Sequence, residues 1–174
     1  MAKLRKMLGD VNSPVCMEIM AFIATQSQKT VESWAVEYAA GNTLPLYCAE
    51  YPEETLLCDA VEKCRCYMAG GMKLSQLKPV LSEARKLASA TKGDIAQAAA
   101  RAVSAACAST QTPTNAFGFL MYAAAASAYA ALGTDRPQPE YDVYAQEQME
   151  KALASLKAVA VENEPNPVKV DWHC

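Results

Sequence analysis

The chain has 174 residues, a formal net charge of −3, 52% hydrophobic residues and 20% charged ones. That composition excludes an intrinsically disordered chain and gives enough length for one domain with a core of its own. The charge gives no general pull towards nucleic acid. Seven cysteines, an odd number, occur without an export signal. Lys3, Arg5 and Lys6 resemble a positive n-region, but Asp10, Pro14 and Glu18 interrupt the apolar stretch after them. The expectation is free thiols and a cytoplasmic protein.

Residues 1–12 are expected to form an N-terminal arm. Ser13-Pro14 then starts a helix, with serine as cap and proline at its favoured first position. This helix is predicted to reach Gln28. Thr30 is expected to cap Val31 to Ala40, with Gly41 as the left-handed stop. Pro45 starts or kinks a short segment, Leu44 to Tyr51. Tyr51-Pro52-Glu53-Glu54 reads as the opening of a helix that ends at Gly70-Gly71, its carboxylates placed where the dipole favours them. Ser75 is predicted to cap a helix to Ala90, Asp94 one over Ile95 to Ser109, and Asn115 one over Ala116 to Leu132, stopped at Gly133. The last helix, Glu140 to Val161, carries Ala145, Met149, Ala152, Leu156 and Val159 in steps of four, three, four and three, a single buried stripe.

No charged side chain lies between Arg101 and Asp135. A run that charge cannot solvate must be covered, so the two alanine-rich helices within it belong at the centre. A membrane span needs about 20 consecutive apolar residues. Here Thr110 to Asn115 breaks the run, and the rest is mostly alanine, a good helix former that lets helices pack closely. The tail, 162–174, contains Pro165 and Pro167 and cannot continue a helix. Val168, Val170 and Trp172 alternate with Lys169, Asp171 and His173, the period of an extended segment. It should dock on the helices or on a second copy, making a homo-oligomer. The fold class is all-α: a single-domain bundle of about seven helices with an extended tail.

Little in the sequence speaks for catalysis. His173 is the only histidine, so a Ser–His or Cys–His pair would have to recruit the tail. Cys64-Arg65-Cys66, with Cys58 nearby, lacks the spacing of a zinc site, and Cys16 and Cys107 sit among apolar residues. No phosphate-binding glycine loop is present, and no basic cluster interleaved with aromatics. The expectation is no enzyme, no cofactor, no metal, no nucleic acid and no membrane. Tyr122 and Tyr129, seven apart, share a helix face, either as core or as the wall of a small-ligand pocket.

Charge is unevenly distributed. From Thr30 to Glu62 the charges are Glu32, Glu37, Glu50, Glu53, Glu54, Asp59 and Glu62, without Lys or Arg. From Lys63 to Arg101 the sign reverses. Either the two blocks offset each other, or the first is a face for a basic partner. On the second reading Glu32, Glu37, Glu50, Glu53, Glu54 and Asp59 are the candidate partner-binding residues.

Trp34-Ala35-Val36-Glu37-Tyr38-Ala39, Leu44-Pro45-Leu46-Tyr47 and Tyr51-Pro52-Glu53-Glu54 continue into Ala98-Ala99-Ala100-Arg101-Ala102 and the alanine run from Tyr122 to Ala130. In order and spacing, over roughly 31–133, these resemble immunity proteins of bacterial polymorphic toxin systems, of the fifth class. The resemblance implies a helical, non-catalytic protein that binds and neutralises a toxin domain. Family members tend to carry histidines in the paired alanine-rich helices. This chain has none there, so no histidine role carries over. The readings that compete with it are a helical scaffold or small-ligand binder, and a thiol- or metal-dependent enzyme.

Overall fold

The computed structural model describes residues 3–172. Eight α-helices and no strand occur among them: α1 (Pro14–Ile23), α2 (Gln28–Asn42), α3 (Leu44–Glu50), α4 (Leu56–Met68), α5 (Leu74–Ala90), α6 (Asp94–Ala108), α7 (Asn115–Leu132) and α8 (Gln138–Val159).

The chargeless run forms the second half of α6 and all of α7, and the two helices pack along each other as the centre of the protein. Ala99, Ala100, Ala102 and Ala106 on α6 are fully buried, as are Ala125, Ala126 and Ala128 on α7. Alanine contributes little apolar area but lets the two backbones come close. Around this pair, α5 covers α6 and α8 covers α7. The helices α2 and α3 touch both, and α4 closes the side between α2, α5 and α6. By length and composition α7 is apolar enough to cross a membrane. Here it lies inside the fold, against α1, α2, α3, α6 and α8.

Aromatic residues fill the space that alanine leaves. Trp34 and Tyr38 of α2 surround Phe119 of α7, with ring centroids 5.7–6.1 Å apart. Edge-on pairs of this kind add about 0.5–1.5 kcal/mol each beyond their buried area. The Trp34 indole N–H donates to Ser155 Oγ on α8 at 2.9 Å. Tyr129 meets Tyr141 edge-to-face at 5.0 Å. Its hydroxyl donates to the Arg5 carbonyl at 2.6 Å. With Leu8 N donating to Met121 O at 3.0 Å and the Leu8 side chain buried, residues 3–12 are docked on α7.

Helix ends depart from the predicted ones where local chemistry offers a better partner. Ser13 caps α1 as predicted, accepting from Cys16 N. That helix stops at Ile23, so Ser27 caps α2 in place of Thr30, accepting from Thr30 N at 3.1 Å. Gly41 does not stop α2, which runs on to Asn42 without a left-handed residue. Pro52 and Glu53 lie in a turn, and α4 starts at Leu56, whose N–H is taken by Glu54 Oε1 at 3.0 Å. Lys73, Gly93 and Thr114 occupy the cap positions expected for Ser75, Asp94 and Asn115. Gly70-Gly71 does end α4. Gly70 takes φ +83°, and the N–H groups of Gly70 and Gly71 close onto Tyr67 O and Cys66 O, the two bonds of a Schellman motif.

The α8 stripe is buried at Ala145, Met149, Ala152 and Leu156. Val159 is 50% exposed, because the helix ends there and the chain turns away. The tail docks on its own chain. Val168 N donates to Gln26 O at 2.7 Å, and Trp172 sits edge-on to Phe117 at 6.1 Å. Val168 and Val170 face the core while Lys169 and Asp171 are exposed, the alternation predicted. His173 and Cys174 lie outside the described residues.

Candidate functional site

The six candidate carboxylates have different local environments. Glu32 is only 6% exposed. It accepts from Gln28 Nε2 at 3.1 Å, and the same amide donates to Ser109 O. Burial pushes the Glu32 carboxyl above its ordinary range, against the pull of the Gln28 bond. The sequence carried a signal for this: Glu32 shares a face of α2 with Ala35 and Ala39, both buried. Glu37 is exposed but engaged. It takes two bonds from Arg65 of α4, 2.7 and 2.8 Å, and Arg65 also pairs with Glu62. The Arg65 bonds hold the Glu37 carboxyl below its ordinary range.

The other four gather near the α3–α4 corner. Glu50 and Glu53 are exposed and make no ion pair among the described residues. Glu54 serves the start of α4, and Asp59 accepts from Thr55 Oγ1 at 3.3 Å. Tyr47 and Tyr51 stack at 5.3 Å, and the Tyr51 hydroxyl donates to Lys92 O, tying this corner to the α5–α6 turn. Gly93 in that turn has φ +91°, and a Cβ there would lie 2.9 Å from Glu50 Oε2. Beside the corner, a groove of about 340 Å³ between α4 and α5 joins Glu54, Asp59 and Glu83 with Leu56, Pro79 and Val80.

The thiols fall into pairs that sequence spacing did not show. Cys48 of α3 and Cys58 of α4 bring their sulfurs to 3.9 Å. Cys64 and Cys107 meet inside the protein, and Cys16 is buried elsewhere in the core. The bond from Cys64 and then burial push the Cys107 thiol well up, while burial pushes up Cys16. Among the described residues no three His, Cys, Asp or Glu side chains gather as a metal cluster.

A second concavity, about 590 Å³, lies between α5, α6 and the start of α7. On α5, Lys78, Ser82, Arg85 and Ser89 line it at spacings of four, three and four. On α6, Arg101, Ser104, Ala105 and Ala108 do so, and on α7 Asn115 and Tyr122. These are single helix faces brought together by packing. Its lining contains three cations and no carboxylate. Tyr129, the other tyrosine of the predicted shared face, is held at the far end of α7 by Arg5 and Tyr141 and does not line it.

These elements define an all-α protein with an alanine-built centre, a free acidic corner and a separate basic cleft. The chain belongs to the family described as Imm-5 like putative immunity protein, whose model matches residues 21–156. The match runs from α1 into α8 and takes in every candidate carboxylate. No curated protein and no solved structure matches the chain.

Proposed function

We propose that this protein binds a cognate toxin domain in the bacterial cytoplasm and neutralises it without catalysis. The family match over 21–156 carries the reading. The corner formed by Glu50, Glu53, Glu54 and Asp59 is the proposed partner surface. Its support is that Glu50 and Glu53 stay exposed and form no ion pair among the described residues, while Glu32 is buried and Glu37 is taken by Arg65. A basic toxin surface would approach such a corner faster at low ionic strength. The non-catalytic part is supported by thiols kept protonated, at Cys107 by the bond from Cys64 and then burial and at Cys16 by burial, since the thiolate is the reactive form.

The test takes as partner the C-terminal domain of any large toxin-tipped protein encoded in the neighbouring reading frames. Co-expression should relieve its toxicity, and the two proteins should co-purify. Glu50→Lys with Glu53→Lys should slow association about tenfold or more at low salt and leave the melting temperature unchanged. Unrelieved toxicity with no complex would overturn the function. A tight complex with unaltered kinetics in the double variant would move the surface elsewhere.

A further inference from the structure

We infer that the cleft between α5, α6 and α7 binds an organic phosphate of nucleotide or sugar-phosphate size. The first observation is a hydroxyl that opens onto the cleft. Ser104, 7% exposed as a residue, lines the cleft, and its hydroxyl makes no hydrogen bond among the described residues. A helical serine ordinarily folds back onto the preceding turn; this one is left to whatever fills the cleft. The second observation is charge without counter-charge. Arg101, one turn before Ser104, is partly buried, and neither it nor Lys78 and Arg85 on α5 forms an ion pair among the described residues. An unpaired guanidinium held partly out of water weakens the fold unless something completes it.

The remaining lining fixes the class of ligand. Asn115 and Tyr122 also leave their side-chain polar groups unbonded, so the site presents hydroxyl and amide donors beside three cations. Guanidinium and hydroxyl donors suit phosphate oxygens. The C-terminal end of α6 at Ala108 and the N-terminal end of α7 at Asn115 both reach the cleft, so the helix dipoles offset and the side chains set the sign. The volume falls within the usual range for small-molecule sites and exceeds what a bare phosphate would fill. Serine and amide groups along α5 and α7 face the ligand body, as a ribose or sugar requires. This site lies apart from the acidic corner, and its occupation needs no toxin.

The experiment titrates purified full-length protein with pyrophosphate, ADP and fructose 1,6-bisphosphate, by calorimetry and by shift in melting temperature. We expect binding by at least one, weakening as salt rises. Selectivity for ADP over the sugar bisphosphate, or the reverse, names the source of the phosphate. Arg101→Gln and, separately, Arg85→Gln should each weaken binding about tenfold or more. Without ligand, Arg101→Gln should melt no lower than the parent chain, because it removes an unpaired charge. Ser104→Ala should weaken binding without unfolding. No binding by any of the three at concentrations on the order of 1 mM would overturn the proposal. So would affinity that survives the arginine variants, or a cleft whose variants affect only toxin binding.

Discussion

Gln26 holds the backbone of Val161 from both sides: its Nε2 donates to Val161 O at 3.1 Å and its Oε1 accepts from Val161 N at 2.7 Å. The two residues are 135 positions apart. Gln26 is 3% exposed, and its own carbonyl accepts from Val168 N. One side chain at the end of α1 therefore fixes the chain after α8 and the start of the tail.

Gln26→Ala should release that segment. Net loss of such bonds costs about 1–2 kcal/mol in total, a fall of about 2–4 °C per kcal/mol in a chain of this length. Trypsin should then cut after Lys169 much faster than in the parent protein, while the helical core resists. An unchanged cleavage rate would mean that Phe117 and Trp172 hold the tail unaided.

The central pair is tested by charge. Ala125→Arg or Ala128→Arg places a guanidinium where exposure is zero, on a helix that carries no charge of its own. Each should cost upwards of about 3 kcal/mol and leave little folded protein. Ala130→Arg, on the exposed side of the same helix, should fold normally. Circular dichroism and soluble yield separate the two outcomes. Normal melting of both buried variants would displace α7 from the centre.

How much of this was readable before folding differs by feature. The chargeless run identified α6 and α7 as the core because no alternative covering is available to it. The period-two tail was readable for the same kind of reason: Val168, Val170 and Trp172 need one dry face. The basic cleft was not readable, because its residues sit on three helices. In sequence, Lys78, Arg85 and Arg101 are simply counter-charges to the preceding acidic block, and only Arg65 plays that part, towards Glu37 and Glu62. Glu32 counts as a surface charge when charge is read along the chain, and only projection onto the α2 face shows it buried. The Cys48–Cys58 approach depends on the turn between α3 and α4, a segment whose Pro52-Glu53-Glu54 has the sequence pattern of a helix start.

Glu32 sets a pH dependence. Its folded carboxyl titrates above the ordinary glutamate value, so the folded state binds more protons than the unfolded one between those two points. Stability from this group is therefore full below the ordinary value and declines as pH rises through the window to the raised one. Glu32→Gln keeps an acceptor for Gln28 and removes the charge. It should raise the melting temperature at neutral pH by about 2–4 °C, the size of ~1 kcal/mol here, and give no gain near pH 4, about where an ordinary glutamate titrates. Melting curves at the two pH values decide it. A lower melting temperature at neutral pH would show that the ionised carboxylate contributes more than its burial costs.

The thiols should react in an order that burial dictates. Cys66 is exposed, Cys48 and Cys58 are partly so, and Cys16, Cys64 and Cys107 are buried. Among the described thiols Cys66 should label first under native alkylation, and the three buried ones only when the protein unfolds, since attack needs both access and a thiolate. Cys48 and Cys58 behave as a unit: with sulfurs 3.9 Å apart, modification of one should slow the other. Diamide should join them. Their two thiols lose two hydrogens, which reduce the diazene to its hydrazine, and the sulfurs close to about 2.05 Å. Peptide mass spectrometry should find the Cys48–Cys58 cross-link, and Cys48→Ser should abolish it without exposing Cys64 or Cys107. Labelling of Cys107 as fast as Cys66 would mean that α6 opens readily, which is incompatible with its place at the centre of the fold.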